Sequence, residues 1–488
     1  MESYIFPANK LRTLIGQAIP EELAVFGNEV PAPRFLYVPA THYRALNPDN
    51  MLIVGIRGAG KSFWWTALQS ENHRRLIAEY LPKAEVKDAT RISPGFGSKP
   101  DPEHYPGKDS LLLLLKDYEA RDIWRAIVVW CVLDERKQRP TSWKDRIEWV
   151  KADPERLETK LYEVDHILHR QGLKHLILFD ALDLVADDWS TARRLLKGLL
   201  QVLLEFRSSQ AIRPKAFVRP DMLEDPVVAA FPDASKILNN KVELIWPSIE
   251  LYSLLWQYLG NELEWGKVFR MGCKDGFQQT WQQKDEVWII PSAMRTNMEL
   301  QRSIFHAMAG PWMGLDKRRG FPYTWLPNHL ADARRQTSPR SFLAALRKAA
   351  EESKSQQRTH DYAFHYEGIK RGVQEASRIR VREMQEDYPW VQGLMEPLRG
   401  LSVPCSFDKI AELWRNTDTL GKLRKKGSDQ SVRLPPQHLE EGPEGVRRDL
   451  GELAVFQTMD DGRVNLPDVY RVGYGLGRRG GVKAIRKG

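Results

Sequence analysis

Residues 51 to 65 read "MLIVGIRGAGKSFWW": four apolar residues, then a loop carrying three glycines, one lysine and one serine. Gly55-Ile56-Arg57-Gly58-Ala59-Gly60-Lys61-Ser62 fits G-x-x-x-x-G-K-[ST] without a mismatch. Each position has a physical task. Glycines let the backbone curl so that successive N–H groups face an anion with no side chain in the way. Lys61 carries a positive charge to the outer phosphates, and Ser62 offers a hydroxyl to Mg²⁺. The helix opening there turns its positive dipole end toward the same point. Arg57, Ala59 and Phe63 fall within the same cradle and count with it as nucleotide-contacting positions. The plainer alternative is a tight turn between a strand and a helix. By average residue usage, a chain of this length would match the pattern by accident about once in fifty. Here the match also follows an apolar strand and opens a helical run, "SFWWTALQSENHRRLIAEY". A phosphate cradle is the better reading.

Working outward, short apolar runs alternate with helical ones. Strand candidates are 51–55, "HLILFD" (175–180), "KAFVR" (215–219) and "KVELIW" (241–246), and the run 187–207 repeats leucine on one helix face. Continuous apolar strands separated by helices indicate a parallel sheet covered on both faces. A phosphate loop also needs an acid at the end of a neighbouring strand to hold the metal shell. "HLILFDALD" supplies Asp180, with Asp183 three residues on, although a strand ending in a capping aspartate would look the same. The expected site is therefore Lys61, Ser62 and Asp180 around Mg²⁺, with Ser62 and Asp180 as the metal-side groups.

The fold class that follows is α/β: a P-loop NTPase core with a parallel sheet flanked by helices, a helical lid and a C-terminal winged-helix-like domain. The chain divides into an N-terminal extension (1–45), the core (46–250) with a helical insertion (90–160), the lid (251–350), a helical connector (351–397), the winged-helix-like domain (398–470) and a basic tail (471–488). The insertion begins with a polar loop at 93–110 and reads equally as a partner-docking surface or an enlarged core. In 398–470, "AVFQTM", a turn at "DDG" and "RVNL" make a hairpin following short helices.

Composition sets outer bounds. The 488 residues are 42% hydrophobic and 28% charged, which suits a globular chain of several domains. No uncharged apolar stretch approaches the length of a bilayer span, so no membrane partner is expected. The N-terminus lacks the pattern of an export signal, which points to a cytoplasmic protein. Cys131, Cys273 and Cys405 lack metal-ligand spacing. Net charge is +9, and 471–488 holds six positive charges, no negative ones and six glycines. That segment reads as a flexible basic tail, either a solvated terminus or a nucleic-acid contact.

The P-loop followed by "LILFDALD" resembles the signature of STAND ATPases, the NACHT-like group whose second motif reads hhhhD-[GA]-L-D-E. By that resemblance Arg219, ending "KAFVR", stands where the group has its sensor arginine. "TSPRSFLAALRKAA" (337–350) is similar to the second sensor helix of the lid in AAA+ ATPases of initiator and KAP types. Ser338 can cap that helix, Pro339 suits its first turn, and Arg340 is then held near a helix start where it could reach a γ-phosphate. A surface arginine on a lid helix is the competing account of Arg340. The resemblance implies ATP as nucleotide, with Asp180, Asp183, Arg219 and Arg340 as catalytic-site residues. No guanine-specifying N/TKxD pattern occurs.

Two departures from that resemblance matter. Ala181 occupies the position of the glutamate that activates water in AAA+ rings, leaving Asp183 to position it. No arginine lies between Arg219 and Arg270 to act as a finger, and Lys236 is the one base before the strand at 241. A lysine lacks the planar fork of an arginine. A slow, switch-like ATPase is favoured over a self-stimulating ring. The resemblance further implies a partner effector protein or homo-oligomer, in the setting of bacterial anti-phage defence islands. The alternatives are a DNA-bound AAA+ regulator using 398–488, and a nucleotide-binding structural subunit that hydrolyses nothing.

Overall fold

Five strands build one parallel sheet in the order β2-β3-β4-β1-β5 in the computed structural model, which describes residues 4–21, 29–133, 141–428 and 432–485. They are β1 (Leu52–Val54), β2 (Arg91–Phe96), β3 (His175–Phe179), β4 (Ile212–Val218) and β5 (Val242–Glu243). Every residue of β1 and β3 is buried, as uninterrupted apolar strands require when helices cover both faces. Register is set by Ile53 opposite Phe217 on one side and Val242 on the other.

β2 corrects the sequence reading, which put a polar loop from residue 93. Ser93 pairs with Ile177 and Pro94 with Leu178, and the register shifts between Pro94 and Phe96. Pro94 has no N–H to give, a defect that the edge position of this strand tolerates. Gly95 lies flat on β3, where a Cβ would come within 2.7 Å of both Ile177 and Phe179. The polar look of the segment is that of an edge strand. The helix Ala120–Val132 belongs to the same core. Trp124 meets the rings of Phe96 and Phe179 edge-on and donates to the Leu195 carbonyl at 2.8 Å. Gly198 admits the close crossing of that helix with Trp189–Glu205, since a Cβ there would sit 2.6 Å from the Arg121 nitrogen.

The chain forms two compact units, one of Met1–Leu23, Ala32–Tyr37 and Trp246–Gly488, the other of Ala24–Pro31 and Val38–Ile245. The expected N-terminal extension is thereby corrected. Helix Ala8–Ala18 buries Leu11, Leu14, Ile15 and Ala18 at helical spacing in the first unit. Arg12, buried as well, donates to the carbonyls of Arg358, His360, Tyr362 and Ala363 at 2.7–3.2 Å. Four chain carbonyls satisfy its donors, so burial of the charge is compensated.

In that first unit the expected lid, connector and C-terminal domain pack as one body. Helix Pro339–Gln356 lies against Tyr366–Asp387 so closely that a Cβ on Gly372 would meet the Ala345 oxygen at 2.1 Å. Ser377 on the second of these donates to the Val469 oxygen at 2.7 Å and accepts from the Gly473 nitrogen at 2.8 Å. Strands β6 (Gln282–Lys284) and β7 (Val287–Ile289) form a small antiparallel pair. Further on, helices Phe407–Asn416, Thr419–Ser428 and Pro443–Glu452 precede the expected hairpin of β8 (Gln457–Thr458) and β9 (Val464–Asn465). Cys405 makes an isolated antiparallel bridge with Val464 of β9.

The flexible basic tail is a further correction. Helix Asp468–Tyr474 runs into it, and Arg471 is buried, donating to Asp468 at 2.7 Å, to the Leu476 oxygen at 3.0 Å and to the Val482 oxygen at 2.7 Å. Leu476 and Val482 are buried beside it. The arginine binds its own fold, because a carboxylate and two carbonyls replace the water that an exposed tail would offer. Residues 486–488 of the expected tail lie outside the described residues.

Candidate nucleotide site

The loop leaves β1 and returns to a helix within six residues, and two glycines make that possible. Gly58 and Gly60 hold φ of 79° and 100°, conformations that cost a side-chain-bearing residue. Gly55 stays in the sheet, donating to the Val218 oxygen at 3.1 Å. A Cβ on it would crowd Ala59, Leu244 and the Lys61 stem at 3.3 Å each. Helix Lys61–Gln69 starts after Gly60, so the N–H groups of its first turn open onto the loop. Lys61 Nζ donates to the Gly55 and Ile56 carbonyls at 2.8 and 3.2 Å. The Phe63 ring stands edge-on to Trp64, and Arg57 is partly exposed in the loop.

Asp180 follows β3 directly, its backbone nitrogen bonded to the Phe96 oxygen at 3.0 Å. Its Oδ2 accepts from the Ser62 hydroxyl at 2.5 Å. The sequence reading put this acid on a strand adjacent to the loop strand. In the sheet, β4 stands between β1 and β3, and the helix after the loop carries Ser62 across to the carboxylate. The intervening strand is followed by Arg219, which donates to Asp183 at 3.4 Å and to both oxygens of Asp221 at 3.2 and 3.1 Å. The loop, Asp180, Asp183 and Arg219 thus converge at the carboxyl ends of β1, β3 and β4, where open α/β sheets take their ligands. Ala181 holds φ of 61°, a left-handed conformation costing about 1 kcal/mol for a residue with a Cβ.

Burial dominates the electrostatics. It pushes the Asp180 carboxyl up to about 6, against the opposing pull of the Ser62 hydrogen bond and the Lys61 charge, with Asp183 adding to the rise. Lys61 is lowered by its own burial, and Asp183 and Asp180 counter that. A hard divalent cation fits such a place. Ser62 and Asp180 offer two oxygens already in contact, one of them on a carboxylate whose negative charge the protein alone leaves poorly compensated. The glycine backbone and helix start suit an anion, with Lys61 beside them.

Several supporting residues escaped the sequence reading. Asp221 completes the clamp on Arg219; its signal is the "RPD" that follows β4. His42, outside the expected core boundary, accepts from Trp64 at 3.1 Å, and burial lowers it to about 3, so it is a neutral acceptor. Trp65 donates to the Leu178 oxygen at 3.1 Å, tying the loop helix to the acid's strand. Lys236 pairs with Asp233 at 2.8 Å.

Arg340 belongs to the other unit. Its helix starts as the sequence implies, with Ser338 accepting from the Ser341 nitrogen and Pro339 in the first turn. There its guanidinium bonds Glu383, which also takes Arg380 at 3.4 Å.

No family model and no curated protein matches the chain. Among solved structures it is similar to Cdc6p from Pyrobaculum aerophilum at 9% identity and a TM-score of 0.30, covering 93% of this chain and 95% of that one. It is also similar to the Aeropyrum pernix ORC2 protein in its ADPNP-ADP complexes, at 13% identity and a TM-score of 0.32, covering 92% and 94%. The P-loop NTPase character of the core rests on its own sheet and loop geometry.

Proposed function

We propose that this chain is an ATP- and Mg²⁺-dependent conformational switch of the AAA+/STAND kind, acting on a partner protein. One observation carries the reading: Lys61, Ser62, Asp180, Asp183 and Arg219 meet at the ends of three neighbouring strands. Bound ATP–Mg²⁺ supplies an electrophilic phosphorus to an attacking water. Loop N–H groups and Lys61 hold the phosphates, Ser62 and Asp180 orient the metal, and Asp183 directs the water. Asp183 is engaged by Arg219, and Ala181 offers no base beside the metal. Turnover is therefore slow until a partner rearranges that pair. Arg340 is the lid arginine in this reading, reaching a γ-phosphate after leaving Glu383. The test is phosphate release and calorimetry with Mg-ATP. Heat and turnover in the wild type, lost in Lys61→Ala, support the reading; heat indifferent to Lys61 overturns it. Binding without turnover, with or without candidate partners, would reduce the chain to a nucleotide-binding structural subunit.

A second reading, a DNA-binding AAA+ regulator, is favoured by three helices followed by a hairpin at 407–465, with Cys405 bridged to β9. This is the element order of a wing. A salt titration of duplex DNA binding tests it: a steep loss of affinity with salt supports it, and no binding at about 50 mM salt removes it.

A further inference from the structure

Between helices Met298–Ala309 and Pro322–Leu330 the chain makes a short loop, "GPWMGLDKRRGF" from 310 to 321. Leu315 in it is 94% exposed, and Lys317, Arg318 and Arg319 follow soon after, all exposed. Such a leucine usually signals slack chain, but here the loop is pinned at its base. Met313 is buried, and its nitrogen donates to the Gly320 oxygen at 2.9 Å. Gly310 and Gly320 make the two bends with φ of 73° and 89°. Trp312 and Phe321 pack ring against ring at 5.0 Å, and Phe321 stacks on His306 at 6.0 Å. The one acid, Asp316, is itself exposed; it accepts from the Arg318 nitrogen at 2.9 Å and pairs with the Arg318 guanidinium at 3.8 Å. Lys317, Arg318, Arg319 and Leu315 are thus presented to solvent by a closed frame, with Asp316 offsetting part of the charge.

We propose that this loop is a nucleic-acid contact, its cations on backbone phosphates and Leu315 pressed against an exposed base or base step. A triple cation calls for a polyanion, and a single apolar wedge among cations is the way proteins part or brace stacked bases. An anionic membrane fits less well. One leucine contributes about 2 kcal/mol on burial, and stable anchoring needs a second strong signal. The inference deepens the second reading above by placing a contact outside 398–488, and it is independent of ATP turnover.

The test uses the full chain with fluorescent duplex and single-stranded oligonucleotides across a salt series, and vesicles of phosphatidylcholine with phosphatidylserine in parallel. The triple variant Lys317→Ser, Arg318→Ser, Arg319→Ser should bind about tenfold more weakly at moderate salt. Its salt slope should be shallower by two to three units, near one per lost contact (about 2.7). Leu315→Ser should lose affinity with the slope unchanged. Thermal midpoints should stay at the wild-type value, because the altered side chains are exposed. Wild-type slope and affinity in the triple variant would overturn the placement while leaving the second reading standing. No oligonucleotide binding by the wild type would overturn both. Binding to the vesicles alone, lost in Leu315→Ser, would overturn it in favour of a lipid surface. ATP turnover indifferent to Lys61 would damage only the nucleotide reading.

Discussion

Asp180→Asn should make the ligand-free protein more stable while abolishing its chemistry. The carboxyl is buried and held near pKa 6 rather than its ordinary 3.8, chiefly by desolvation. A rise of that size corresponds to about 3 kcal/mol as an upper figure, so a gain of order 1–3 kcal/mol is expected. The sign follows from linkage. A carboxyl with a raised folded pKa favours the fold while protonated, below 3.8, and that contribution is lost as pH rises through about 6. Above that pH the wild type carries the whole penalty and the amide none, while the Ser62 hydroxyl can still donate to the amide oxygen. For a unit of about 200 residues the gain is roughly 3–10 °C in midpoint. The assay is thermal unfolding in chelator, without nucleotide, at several pH values from 5 to 8. The advantage of Asp180→Asn should be largest at pH 8 and shrink toward pH 5. Mg-ATP turnover should be absent throughout. Equal midpoints at pH 8, or a difference that does not vary with pH, would contradict this account of the carboxyl.

Gly372→Ala should destabilise the first unit by about 1–3 kcal/mol or more, because its Cβ meets the Ala345 carbonyl and not a side chain that can move. Gly393→Ala, an exposed helical position with nothing within 4 Å, should instead gain up to about 1 kcal/mol; denaturant midpoints compare the two. Arg12→Met leaves four carbonyls without their donor, and should expose Ala8–Ala18 and 358–363 together in hydrogen exchange. Lys215 donates to the carbonyls of Ala45, Asn47 and Asn50, and burial lowers it to about 7. The unfolded chain then holds the extra proton between pH 7 and about 10.5, so wild-type stability should rise with pH there. Lys215→Met should flatten that slope; parallel slopes would sink the assignment.

Much of the site could be read from residue order. The positions of Gly58, Gly60, Lys61 and Ser62 in one tight loop, and of Asp180 at a strand end, follow from local sequence alone. β2 was hidden because an edge strand is free to carry Ser93, Pro94 and Gly95, so its pairing depends on β3 and not on its own composition. The Arg471 charge looked like part of a solvated tail because sequence counts charges without showing what faces them. Asp468 and two carbonyls do.

The glycine loop, the aspartate closing β3 and the parallel character of the sheet are all written in residue order, because they follow from backbone freedom, local charge and apolar runs a few residues long. Three other features emerge only on packing: the strand order that sets Arg219 between loop and acid, the union of the N-terminal helix with 246–488, and the burial of Arg471. Each depends on contacts between residues far apart in the chain, whose partners no short window contains.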